Sequence, residues 1–277
     1  MSTKGSVLIT GCSDGGIGSG LALVFQQRGY HVFATARNPG KMAALRNLPN
    51  VTLLTLDVTN KSDIQATKDL VDEETGGTLS YLINNAGRNH FMPLLDDDVD
   101  IAKRIFDINV WGPLTVTQAF APLLIKSQGM LVNITSIAGH GPVPTMGSYS
   151  ASKRSLEIMS EVLRLELTPF NVKVLSVVTG AVSTNGQTYL QDWTLPANSL
   201  YKPVEETLAH TARGTDGIPR MPLMEYATKV VDGILQGETR RIWVGAHAEM
   251  AKNTPSEGEM ADKRDQFILE SMTLNTL

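Results

Sequence analysis

One cysteine, Cys12, is all that this chain of 277 residues carries. No disulfide can form within it, and a reducing compartment is the expected setting. The position of Cys12 inside a glycine-rich segment calls for a small side chain rather than a redox switch. Histidines are few: His31, His90, His140, His210 and His247 stand at no metal-ligand spacing, so no metal site is expected. Aromatics make up 6% of the residues and are not interleaved with a basic stripe, and the net charge is −4, which argues against a nucleic-acid binder. No run approaches the roughly 20 apolar residues that span a membrane. The N-terminus lacks the charged and apolar regions of a signal peptide, so a cytoplasmic protein is expected. Internal repeats and low-complexity linkers are absent as well.

What is present is ample apolar material, 42% hydrophobic residues, enough to bury the core of one α/β domain. Apolar runs alternate with helical patterns, which predicts a doubly wound parallel sheet of about seven strands. The strands are centred on Val7–Thr10, Val32–Thr35, Leu53–Leu56, Tyr81–Ile83, Met130–Thr135, Val172–Val178 and Arg241–Val244. Two long helices, about Asp100 to Ser127 and Ser148 to Thr168, carry several apolar faces that suit either a contact between copies or intrachain core. Residues 1–250 are expected to form the catalytic domain and 251–277 a polar tail, either flexible or docked through Phe267, Ile268 and Leu269. Within the domain, residues 185–225 are punctuated by Pro196, Pro203, Pro219 and Pro222. They also hold Tyr189, Leu190, Trp193, Leu195, Tyr201, Met221 and Met224. Such a long connection reads as a lid over an apolar substrate or as an irregular excursion packing on itself.

The chemistry concentrates at a few positions. Ser6-Val7-Leu8-Ile9-Thr10 runs into Gly11-Cys12-Ser13-Asp14-Gly15-Gly16-Ile17-Gly18, followed by a helical pattern through Leu21, Val24 and Phe25. Strand, glycine loop and helix form the setting in which backbone N–H groups at a helix N-terminus receive a pyrophosphate. Tyr149 and Lys153 stand four residues apart and share a helix face. A tyrosine of ordinary pKa, about 10, is a poor acid and base at neutral pH. A neighbouring ammonium stabilises its phenolate and brings it toward the working range. Ser136, at the end of Val132-Asn133-Ile134-Thr135-Ser136, offers a neutral hydroxyl to a substrate oxygen. Asn109, in the apolar stretch Phe106-Asp107-Ile108-Asn109-Val110, needs partners if buried.

Thr10-Gly11, Gly16-Ile17-Gly18, Asn84-Asn85-Ala86-Gly87, Asn109, Ser136, Tyr149 and Lys153 together resemble the short-chain dehydrogenases/reductases, over roughly residues 5 to 245. The chain departs from the family pattern twice. Its glycine loop carries one extra residue, a form similar to fungal acyl-dihydroxyacetone-phosphate reductases and secondary-metabolite ketoreductases. Thr179-Gly180 stands where the family has Pro-Gly, which raises the question of what stiffens the backbone there. The resemblance implies a single-domain Rossmann fold, NADP(H) as cofactor, and a homodimer or homotetramer built through the long helices. It implies a catalytic set of Asn109, Ser136, Tyr149 and Lys153. The implied cofactor contacts are Gly11, Ser13, Gly16, Ile17, Gly18, Asp57 and Val58 at adenine, Asn85, Ala86 and Gly87 at ribose, Tyr149 and Lys153, and Val182 and Thr184 at the carboxamide.

His31-Val32-Phe33-Ala34-Thr35-Ala36-Arg37 ends without the acid that would bond the ribose 2′-hydroxyl of NAD. Arg37 offers a planar, charged fork suited to a 2′-phosphate, with Lys41 and Ser13 as added contacts; the alternative is a solvated loop charge. Arg88, His90, Met92, His140, Val143 and Pro144 follow the motif residues as candidate pocket lining. The expected reaction is NADPH-dependent reduction of a bulky, largely apolar ketone, lipid-like or a fungal natural-product intermediate, to a secondary alcohol. Alternatives are an alcohol dehydrogenase running oxidatively and a non-redox cofactor-binding protein on the same fold.

Overall fold

Runs rich in Val, Ile and Leu become seven strands: β1 Ser6–Ile9, β2 His31–Ala36, β3 Val51–Thr55, β4 Tyr81–Asn84, β5 Met130–Ser136, β6 Lys173–Thr179 and β7 Arg240–Val244. In the computed structural model, which describes residues 3–255 and 257–277, they form one sheet of order β3-β2-β1-β4-β5-β6-β7. Every strand pair is parallel. The helices are α1 Ile17–Gln27, α2 Lys61–Thr75, α3 Val99–Phe106, α4 Gly112–Ser127, α5 Gly147–Glu166, α6 Glu205–Arg213, α7 Leu223–Leu235, α8 Ala248–Asn253 and α9 Glu259–Ser271.

Alternation along each strand feeds two cores. Val7 and Ile9 join Val32, Ala34, Val132 and Val177 against Leu21 and Phe25 of α1 and Tyr226 and Val230 of α7. Leu8, Phe33, Leu82, Leu131 and Val174 face the other way, onto Ile64 and Val71 of α2 and Val116, Phe120 and Leu124 of α4. Each fully buried Leu, Val or Phe contributes about 1.5–3 kcal/mol of transfer free energy, so a slip by one residue would expose a whole row. The sheet is therefore fixed in register, and its carboxyl edge, where β1, β4, β5 and β6 end, is a rigid platform.

The helix read from Asp100 to Ser127 is not one regular helix. α3 and α4 are separated by a single π turn, Asp107–Trp111, closed by Gly112 N–H donating to Asp107 O. Asn109 lies in that turn, fully buried. The helical run Val99–Ser127 is long and apolar enough by composition to cross a membrane, but half of its most apolar window is buried within the protein. On α5, Ile158, Val162 and Leu165 share one face and are 53%, 48% and 64% exposed.

Residues 185–225 fold into short elements rather than open loop: 3-10 turns at Asn185–Leu190 and Lys202–Val204, then α6. Phe91, Trp193, Leu195, Val204, Leu208 and Met272 form a third apolar cluster, joined by Ile268 and Leu274. The C-terminal α9 thus packs beneath this segment through Ile268 and Met272, while Phe267 points to solvent. The side chain of Tyr189 lies outside the described residues.

Candidate active site

Strand β5 ends at Ser136, and a tight turn and a loop later α5 begins at Gly147, which sets Tyr149 in its first turn and Lys153 in its second. All three are buried or nearly so. Lys153 Nζ donates to the carbonyl of Ile134 at 2.9 Å and stands 5.9 Å from the centre of the Tyr149 ring. Burial pushes the Lys153 ammonium down to about 8. Ser136 Oγ accepts from Ala138 N–H, which closes the turn after the strand.

Asn109 reaches the same spot from the π turn. Its Oδ1 accepts from Arg88 N–H at 2.8 Å, and its Nδ2 donates to Arg88 O and to Ser152 Oγ, each at 3.0 Å. A Cβ on Gly87 would lie 3.2 Å from Asn109 Oδ1 and 3.3 Å from Lys153 Nζ, so the β4 end, the π turn and the lysine meet in close packing there. The structure therefore brings together the four residues singled out for catalysis: a phenol, an ammonium, a hydroxyl and an amide. That arrangement can deliver a proton to a substrate oxygen and replace it.

The glycine loop makes a cradle beside them. Gly11 adopts φ +76°, and a Cβ there would sit 2.8 Å from Ala86 Cα; one on Gly18 would sit 2.5 Å from Gly11 O. Asn85 Nδ2 donates to the carbonyls of Thr10 and Gly11, while Thr10 Oγ1 accepts from Asn85 and Ala86 N–H. Helix α1 follows Gly16 with no side-chain cap. Backbone this close, opening onto an uncapped helix N-terminus, fits the pyrophosphate of a dinucleotide.

The lengthened glycine loop is tied down by Asp14. Asp14 accepts from Ala43 N–H at 2.8 Å and Ala44 N–H at 3.1 Å, and its own N–H donates to Lys41 O. It ties the glycine loop to the turn after β2, where Arg37 and Lys41 are exposed. Asn185 ties the same loop to the start of the 185–225 segment, through its N–H to Gly15 O and its Nδ2 to Asp14 O. Next to it, Thr184 caps the Asn185–Leu190 turn and Val182 bridges to Met221. Asp57 accepts from Thr59 N–H and Oγ1, and Val58 is buried against Gly112. Cys12 is fully buried, and burial pushes its thiol up to about 12, which keeps it inert.

Thr179 answers the question of stiffness where the family has proline. Its Oγ1 shares a hydrogen bond with Tyr226 Oη at 2.7 Å and lies 3.3 Å from Val177 O. Gly180 N–H and Ala181 N–H donate to Val244 O and Ala246 O, so the end of β6 is held on both sides. Tyr226 was not legible as part of this region, because it is distant in sequence. Asn84 was named in the Asn84-Asn85-Ala86-Gly87 stretch but given no role of its own. Its Nδ2 donates to Asn133 Oδ1 and Thr117 Oγ1, and Asn133 donates to Ser160, a buried polar chain beneath the site. The signal was present in its position directly before Asn85. Among the candidate lining residues, His140 is engaged by Glu157 at 2.5 Å and lies against Trp243. His90 is engaged by Asp97 at 2.6 Å.

Comparison with known proteins agrees with this fold. The family model described as short chain dehydrogenase matches residues 5–195. A short-chain dehydrogenase, PC-15, of Penicillium crustosum is 48% identical over 246 residues, covering 89% of this chain and 90% of the relative. An NADPH-dependent 1-acyldihydroxyacetone phosphate reductase of Schizosaccharomyces pombe is 38% identical, covering 75% of this chain and 71% of the relative. Among solved structures, a short-chain dehydrogenase from Burkholderia cenocepacia in complex with NADP superposes with a TM-score of 0.74. It is 25% identical, with 97% of this chain and 98% of that chain covered.

Proposed function

The chain belongs to the short-chain dehydrogenase family, and from that premise we propose that it is an NADPH-dependent reductase of a bulky, largely apolar ketone. The observation that carries the reading is the convergence of Tyr149, Lys153, Ser136 and Asn109 beside the glycine cradle. NADPH, when bound, would supply the hydride for the carbonyl carbon, the pro-S hydrogen by the family resemblance. Ser136 and Tyr149 hold the carbonyl oxygen, and Tyr149 gives its phenolic proton to the oxygen as negative charge develops there. Lys153 stabilises the phenolate left behind and binds the nicotinamide ribose. Asn109 orders the path by which Tyr149 recovers its proton. Gly11, Gly16, Ile17 and Gly18 receive the pyrophosphate, and Asp57 and Val58 the adenine. Asn85, Ala86 and Gly87 flank the ribose, and Val182 and Thr184 the carboxamide. The NADPH-dependent yeast relative supports the direction and the cofactor.

Cofactor choice rests on Arg37, with Ser13 and Lys41 as added contacts. Arg37→Ala is expected to weaken NADPH binding by about 1.5–3 kcal/mol, the scale of a hydrogen bond to a charged group, and to leave NADH nearly unchanged. Fluorescence titration with both cofactors checks this, and equal weakening of the two would remove Arg37 from the 2′-phosphate.

Residues 185–225 act as the substrate cover in this reading, hinged where Asn185 meets the glycine loop. Hydrogen exchange is expected to slow in this segment when NADPH and a bulky ketone are added together. Equal protection with and without ligands would make it a static surface. The exposed face of α5 supports assembly as a homodimer or homotetramer, which sedimentation velocity reads directly.

A further inference from the structure

Asp96, Asp97 and Asp98 are three adjacent acids, and each has a separate partner. Asp98 caps α3 by accepting from Asp100 and Ile101 N–H. Asp96 accepts from Ser199 Oγ at 2.6 Å, in the 185–225 segment. Asp97 is different, because its side chain is only 6% exposed. One of its oxygens receives the His90 ring nitrogen at 2.6 Å, and the other receives the hydroxyl of Ser148 at 2.5 Å. His90 is itself 15% exposed.

Ser148 is the residue immediately before Tyr149. Helix α5 starts at Gly147 without a side-chain cap; within its own segment Ser150 N–H donates to Met146 O and Ser152 Oγ to Tyr149 O, and what holds the turn against the rest of the fold lies elsewhere. The anchors come from residues 88–97. Met92 N–H donates to Thr145 O at 2.6 Å, Leu94 fills the space over Gly147, and Asp97 holds Ser148. That segment begins at Arg88, which Asn109 grips on both its N–H and its carbonyl. It also receives Trp193 Nε1 at Phe91 O. A buried carboxylate costs several kcal/mol of desolvation unless its oxygens are bonded, so it is retained only with both partners in place.

We propose that Asp97 is a positioning residue for the proton donor: fixed by His90, it holds Ser148 and with it the first turn of α5, so that the Tyr149 phenol faces the carbonyl oxygen. The inference rests on Tyr149 being the acid. It distinguishes Asp97 from a mere loop staple, because a staple would affect melting without displacing the phenol. Asp96, the next residue, gives the 185–225 segment a hold on the same strand of chain.

The test uses the full chain labelled with [13Cζ]tyrosine in its NADP+ complex, with the Tyr149 resonance assigned by its loss in Tyr149→Phe. Asp97→Ala and Ser148→Ala are expected to displace or split the Tyr149 resonance while those of Tyr30 and Tyr81 stay in place. Asp97→Asn is expected to restore it, since the amide still accepts from Ser148 and donates to the other His90 tautomer. A wild-type Tyr149 resonance in Ser148→Ala, a small change that the fold tolerates, overturns the proposal. So does an Asp97→Asn resonance as displaced as that of Asp97→Ala, which would assign the effect to charge. Neither result touches the reading of Tyr149 as the acid, which fails only if Tyr149→Phe still turns over.

Discussion

Tyr149→Phe is expected to lower turnover by two or more orders of magnitude, about 2.7 kcal/mol of transition-state stabilisation at 1.36 kcal/mol per factor of ten. The ring stays in its buried place in α5 and only the phenolic proton is lost. NADPH affinity should therefore hardly change, because the cradle built by Gly11, Gly18 and Asn85 does not depend on that hydroxyl. Steady-state kinetics with a bulky ketone, alongside NADPH titration, separates the two quantities. More than about a tenth of wild-type turnover in the variant would remove Tyr149 from its role.

Lys153→Met should separate stability from activity. Burial lowers the Lys153 pKa from 10.5 to about 8, and 1.36 kcal/mol per unit makes the folded ammonium cost roughly 3 kcal/mol at neutral pH. The hydrogen bond to Ile134 O returns about 1 kcal/mol of this. The cofactor-free variant should then be more stable than wild type by about 2 kcal/mol at pH 7, while its turnover collapses because the phenolate loses its cation. The sign follows from proton counting. Between about pH 8 and 10.5 the unfolded chain keeps the lysine proton that the folded chain has released, so wild-type stability from this group rises with pH. The advantage of the variant should shrink across that window. Urea unfolding of both proteins at pH 7 and pH 10 measures it, and a variant less stable than wild type at pH 7 would show that Lys153 is not held at a cost.

Much of this molecule was legible before its coordinates. The central strands are buried on both faces, so β1, β5 and β6 appear as predominantly apolar runs whose ends were read to within a residue. The Tyr149–Lys153 pair was legible because a helix brings positions four apart onto one face. The π turn was not, because its cause is not local: Asn109 is fixed by the Arg88 backbone, 21 positions away. The same holds for Asp14 with Ala43 and for Thr179 with Tyr226, hydrogen bonds that span 29 and 47 positions. Residues 185–225 announced themselves by their prolines, but their docking on Phe91 and on Met272 of the C-terminal region depends on tertiary contact. The run of Asp96, Asp97 and Asp98 was the least legible feature, since three adjacent acids usually face water.

The measurement that bears most directly on the central claim is the fate of the hydride. With (4S)-[4-2H]NADPH and a bulky apolar ketone, mass spectrometry of the alcohol should find one deuterium at the carbinol carbon, and Tyr149→Phe should slow its appearance by two or more orders of magnitude. An alcohol without deuterium, or NADPH that binds and is never oxidised across the ketone panel, would contradict the account.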